Sequence, residues 1–66
     1  MIIYPVTIKS VNTNRFELSL YQLENGLFMV RSEIVDRNMV TDSQEVKDLK
    51  TANDMFEYKL QSLEGN

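Results

Sequence analysis

The sequence predicts an α+β fold, a three-stranded antiparallel meander sheet with one C-terminal helix packed on one face. Three observations predict it. Two turn clusters, Asn12-Thr13-Asn14 and Glu24-Asn25-Gly26, separate three apolar-rich stretches. Within those stretches apolar and polar residues alternate, which is the period of a half-buried strand. Further on the period changes: Val46, Leu49, Ala52, Phe56, Leu60 and Leu63 recur at threes and fours, with Met55 beside them. That is the single apolar stripe of an amphipathic helix.

The strands are expected at about 2–11, 15–23 and 27–35. Residues paired in an antiparallel ladder point to the same face, so register can be argued from the pattern. A two-residue Asn25-Gly26 loop would pair Leu20 with Arg31 and Leu18 with Glu33, mixing charge with the apolar face. A three-residue loop, Glu24-Asn25-Gly26, pairs Leu20 with Val30 and Phe16 with Ile34 instead. Its last residue needs the left-handed conformation, which Gly26 adopts without a Cβ clash. By the same reasoning Asn12-Thr13-Asn14 forms a three-residue loop that pairs Ile8 with Leu18 and Val6 with Leu20. The core face then holds Val6, Ile8, Phe16, Leu18, Leu20, Phe28, Val30 and Ile34. Pro5 cannot donate to a ladder, which suits an edge position for the first strand.

Asp36-Arg37-Asn38 reads as a turn and Met39-Val40 as a short fourth strand or an extension, so the sheet occupies about 2–40 of one domain, 1–66. Thr41 or Asp42 caps a helix over about 42–64, Asp42 and Glu45 having capping-box spacing. Gly65 ends it.

Composition limits the function. A chain of 66 residues is one domain, and it buries only about 60% of its unfolded surface. The sequence holds neither Cys nor His, which removes disulfides, thiolate chemistry, the usual zinc ligands and the commonest general base. Association with a partner is the staple left to so small a core. No apolar run approaches the roughly 20 residues of a membrane span, and Met1-Ile2-Ile3-Tyr4-Pro5 lacks the basic region of a signal peptide. A cytoplasmic protein is expected. Net charge is −3. Lys9, Arg15, Arg31 and Arg37 balance Glu17, Glu24, Glu33 and Asp36, so the whole excess falls in residues 42–66.

Candidate chemistry is sparse. Glu17 and Glu33 fall opposite each other, but Lys9, Arg15 and Arg31 surround them, as on an ordinary solvated face. Asp36, Asn38 and Asp42 lack the glycine and terminal Glu of a calcium loop. Ser10, Ser19, Ser32, Ser43 and Ser62 have no His to activate them. With only Gly26 and Gly65, a phosphate-cradling loop is excluded. No cofactor, metal or catalytic residue is expected.

The sheet face turned away from the helix is the surface left to act. Ile3, Leu23 and Leu27 form one expected row on it, and Pro5, Tyr21 and Met29 the next. A clustered apolar patch of this kind marks an interface. The expectation is a non-catalytic interaction or regulatory module that self-associates through this face. The alternative is single-stranded nucleic-acid binding by the same face, with Lys9, Arg15, Arg31 and Arg37 on phosphates and Tyr21 stacking on a base.

Overall fold

The computed structural model describes residues 1–35 and 39–65, the side chains of 39–41 excepted. Four strands run in chain order, β1 (Val6–Asn12), β2 (Phe16–Gln22), β3 (Phe28–Ile34) and β4 (Met39–Val46), followed by one helix, α1 (Leu49–Glu64). The strands form one antiparallel sheet in the order β1-β2-β3-β4. The fold class is the one expected, with the fourth strand much longer than Met39-Val40 alone. The turn expected at Asp36-Arg37-Asn38 lies outside the described residues.

The β2–β3 hairpin matches the sequence argument residue for residue. Phe16 faces Ile34, Leu20 faces Val30, and Glu17 faces Glu33. The Leu23 amide donates to the Leu27 carbonyl at 2.8 Å, which leaves Glu24, Asn25 and Gly26 as the loop. Gly26 has φ of +86°, the left-handed region that a Cβ disfavours. Asn25 steadies the loop by accepting from the Leu27 amide at 3.0 Å.

The β1–β2 hairpin departs from expectation. Its closing pair is Thr13 with Phe16, joined by Thr13 N–H to Phe16 O at 2.9 Å, so the turn residues are Asn14 and Arg15. The cause is the Thr13 hydroxyl. It accepts from the Arg15 amide at 3.1 Å and from the Phe16 amide at 3.0 Å, satisfying two turn donors at once. The resulting register pairs Val11 with Leu18 and Lys9 with Leu20. Relative to the expected pairing β1 has slid by an odd number of residues, and an odd slip exchanges the two faces. Lys9 and Val11 therefore take core-face positions in place of Ile8 and Ser10. A bulge between Thr7 and Lys9 leaves Ile8 unpaired and 39% exposed, and returns Val6 to the core face opposite Gln22. Strand β1 starts at Val6, so Ile3 and Pro5 lie ahead of the sheet.

The helix begins later than the Asp42–Glu45 spacing predicts. Residues 42–46 continue β4, with Val46 opposite Phe28, Gln44 opposite Val30 and Asp42 opposite Ser32. Pairing with β3 satisfies a row of backbone groups that would otherwise line an open edge, and this outweighs a local capping preference. The cap is Asp48, whose side chain accepts from the Thr51 amide at 2.7 Å. Gly65 does close the helix, its amide bonded to the Gln61 carbonyl at 2.8 Å, in a right-handed rather than a left-handed conformation.

The core lies between the sheet and α1. Phe16, Leu18, Leu20, Val30, Ala52 and Phe56 are buried, and Val11, Phe28, Ile34, Val46, Met55, Leu60 and Leu63 pack around them. The helix stripe thus runs from Ala52 to Leu63. Val46 joins the same core from β4, while Leu49 is 46% exposed. Every buried side-chain polar atom among the described residues has a partner.

Two carboxylates tie the fold to acid stability. Asp42 receives a hydrogen bond from Lys59 of α1, and this with the ammonium charge holds its carboxyl below the usual 3.8. Asp48 is held below 3.8 by the hydrogen bonds from Thr51. With both folded values depressed, the unfolded chain takes up these protons first as pH falls. Their stabilisation is complete above the unfolded value and is lost as pH drops through the lower folded values. Urea unfolding at a series of pH values should show stability declining below about pH 4. Asp42→Asn should lower stability near neutrality and flatten that decline.

Candidate functional site

The face of the sheet opposite α1 carries no second layer among the described residues. Its composition follows from the ladders. Leu23 and Leu27 close the β2–β3 hairpin at one end. The next row reads Thr7, Tyr21, Met29 and Glu45 across the four strands. After it come Ser10, Ser19, Arg31 and Ser43, and then Asn12, Glu17 and Glu33. The face is therefore apolar at the Gly26 end and polar at the other.

Of the six residues expected in the apolar patch, Tyr21, Leu23, Leu27 and Met29 occupy neighbouring positions on this face, and all four are half-buried. The Ser43 hydroxyl contacts the Met29 sulfur at 3.3 Å, which ties β4 to the patch. Ile3 and Pro5 do not belong to the rows assigned to them. They precede β1, where Ile3 is 81% exposed, and Thr7 rather than Pro5 stands beside Tyr21.

The cations are distributed differently from the sequence expectation. Lys9 crosses to the helix side. Its ammonium donates to Asn53 Oδ1, lies 3.4 Å from Glu57 Oε2, and sits 5.2 Å from the centre of the Phe56 ring. A long apolar stem with a charged tip allows this, the methylenes resting on the core while the amine reaches the helix acceptors. Arg15 donates to the Leu63 carbonyl at 3.1 Å, near the end of α1. Arg31 stays on the open face, paired with Glu33 at 3.0 Å. Arg37 lies outside the described residues. Among the described residues the open-face rows carry Glu17, Glu33 and Glu45 against Arg31, so these rows are acidic where a basic face was expected.

Elsewhere the chemistry is structural. No group of three or more Asp and Glu side chains among the described residues could hold a metal ion. Asp42 is engaged by Lys59, and Asp36 and Asn38 lie outside the described residues. No helix among the described residues is long and apolar enough to cross a membrane.

Residue periodicity carries no sign of the links between sheet and helix, Lys9 to Asn53 and Glu57, and Asp42 to Lys59, nor of the 75% exposure of Tyr58 on α1. The Asp48-to-Thr51 spacing was available as a cap signal; the Lys9 contacts depend on a bulge that leaves no mark on residue periodicity.

No protein family matches this chain, and no curated protein or solved structure is significantly similar to it.

Proposed function

We propose that this chain is a non-catalytic interaction module that associates with a second copy of itself through the open face of the sheet. The observation that carries the reading is the contiguous set Tyr21, Leu23, Leu27 and Met29 at one end of a face that has no second layer among the described residues. A domain this small has a marginal core, and completing the burial of four half-buried apolar side chains would gain part of the ~1.5–3 kcal/mol that full burial of each is worth. Tyrosine favours such a surface, offering a broad apolar ring and a polar tip. A two-fold axis beside Tyr21 and Met29 would set these residues against their own copies. The absence of His and Cys supports a non-catalytic role, and the absence of Cys also suits a cytoplasmic setting.

The nucleic-acid alternative loses its support. It rested on a basic open face, and Lys9 and Arg15 are engaged with α1 instead. Phosphates approaching the open face would meet Glu17, Glu33 and Glu45, a field that repels them.

Sedimentation and light scattering over a wide concentration range test the proposal. The mass should rise towards that of a dimer, and Leu23→Lys should hold it at the monomer without unfolding the domain. A wild-type chain that stays monomeric at high concentration would overturn self-association.

A further inference from the structure

We infer that Ile2 and Ile3, in the segment ahead of β1, pack against the Tyr21–Met29 patch of a second copy, so that each copy covers the patch of the other. The inference rests on the self-association proposed above and names the residues that complete its contact. Ile2 is 66% exposed and Ile3 81%, and Met1 beside them is fully exposed. The remaining exposed large apolar side chains among the described residues are Ile8, Val35, Leu49 and Tyr58. Those four are scattered over β1, the end of β3 and α1. Scattered apolar residues are ordinary on a surface, whereas a run of three is the kind of apolar surface that marks a contact.

The run lies where the patch can use it. Val6 pairs with Gln22, so the segment ahead of β1 starts at the end of the sheet where Leu23 and Leu27 close their hairpin. The chain bends at Tyr4 and Pro5, which takes residues 1–3 out of line with β1. Their exposure shows that they do not lie on the patch of their own chain. Three extended residues span about 10 Å. That is twice the spacing of neighbouring strands, enough to cross β2 and β3, which hold the patch. Run and patch share one end of the sheet, so a two-fold pair that overlaps those ends exchanges the runs reciprocally and closes on itself.

Area gives the second argument. A stable contact takes roughly 800 Å² from each partner, about a sixth of the 4686 Å² this chain exposes. Four half-buried side chains cannot supply that area by meeting their own copies. Met1, Ile2 and Ile3 add three large, open, apolar side chains at the same end of the sheet. Residues 1–5 include no charged side chain, so they can approach Glu45, in the row of Met29, without like-charge repulsion.

The test compares association by sedimentation for the wild-type chain, Leu23→Lys, and a double variant with Ile2→Ser and Ile3→Ser. The double variant should raise the dissociation constant at least tenfold and stay folded, because both side chains are already open to water. Leu49→Ser removes an apolar side chain that is 46% exposed on α1 and should leave association unchanged. Mixed with Leu23→Lys, which keeps its own Ile2 and Ile3, the double variant should associate more tightly than either protein does alone, since one contact between run and patch is rebuilt. In a mixture of isotope-labelled and unlabelled wild-type chains, NMR should show contacts from the Ile2 and Ile3 methyls of one copy to Tyr21, Leu23, Leu27 or Met29 of the other. If the double variant associates like the wild type while Leu23→Lys does not, the inference is overturned and association through the open face stands. A monomeric wild-type chain overturns both. Methyl contacts found only within one copy, a mixture no tighter than its components, or equal weakening by Leu49→Ser would also overturn the exchange.

Discussion

Phe56→Ala is expected to cost about 3–5 kcal/mol and to leave the chain largely unfolded at room temperature. Phe56 is 2% exposed and belongs to the buried cluster with Leu18, Leu20 and Val30. Phe16 in the same cluster and Phe28 packed against it are both held on strands by the sheet ladders, so neither ring can readily move into the space left behind. Truncation removes the transfer energy of the ring and leaves a cavity in the only layer between helix and sheet. It also removes the surface beneath the Lys9 ammonium. Total stability for a chain of this length is on the order of 3–10 kcal/mol, so the loss takes most of it. Tyr58→Ala, two residues along the same helix, is the control. With 75% of its surface already in water, it should change stability by less than about 0.5 kcal/mol. Urea unfolding followed by circular dichroism separates the two, and a cooperative transition for Phe56→Ala at near-native urea would show that α1 is not held through this residue.

The readable parts of this fold are those in which local and tertiary preferences agree. The β2–β3 hairpin is one: Gly26 permits a single loop geometry, and that geometry aligns Leu20 with Val30 and Phe16 with Ile34. The stretch from Ala52 to Leu63 is another, because its period suits only a helix with one buried face. The strand over 42–46 was hidden because Asp42, Ser43, Gln44 and Glu45 are polar and carry a helix-start spacing. Only the empty side of β3 makes them a strand. Four of the six residues of the candidate patch were legible for the same reason as the hairpin that holds them. Ile3 and Pro5 were misplaced because their assignment was carried across the β1–β2 turn, where one threonine hydroxyl resets the register.

That register makes opposite demands on two adjacent residues, and substituting each should reveal it. On simple alternation Ile8 is a core residue and Lys9 a surface one. In the structure Ile8 sits unpaired at the bulge, 39% exposed, and Lys9 faces α1 opposite Leu20. Ile8→Lys should therefore cost less than about 0.5 kcal/mol, the range of ordinary surface changes. Lys9→Glu should cost on the order of 1–2 kcal/mol, from the lost contact with the Phe56 ring and the lost ion pair with Glu57. The new carboxylate would also face Glu57 and the electron-rich face of that ring, and both repel it. Reversing the second charge supplies the check. Glu57→Lys added to Lys9→Glu should recover part of the loss, because it rebuilds the pair in the opposite sense, while the ring contact stays absent. Thermal and urea unfolding of the four proteins measures each step. If Ile8→Lys proves the more damaging change and Lys9→Glu is silent, β1 is registered as simple alternation would have it, and the basic open face returns with it.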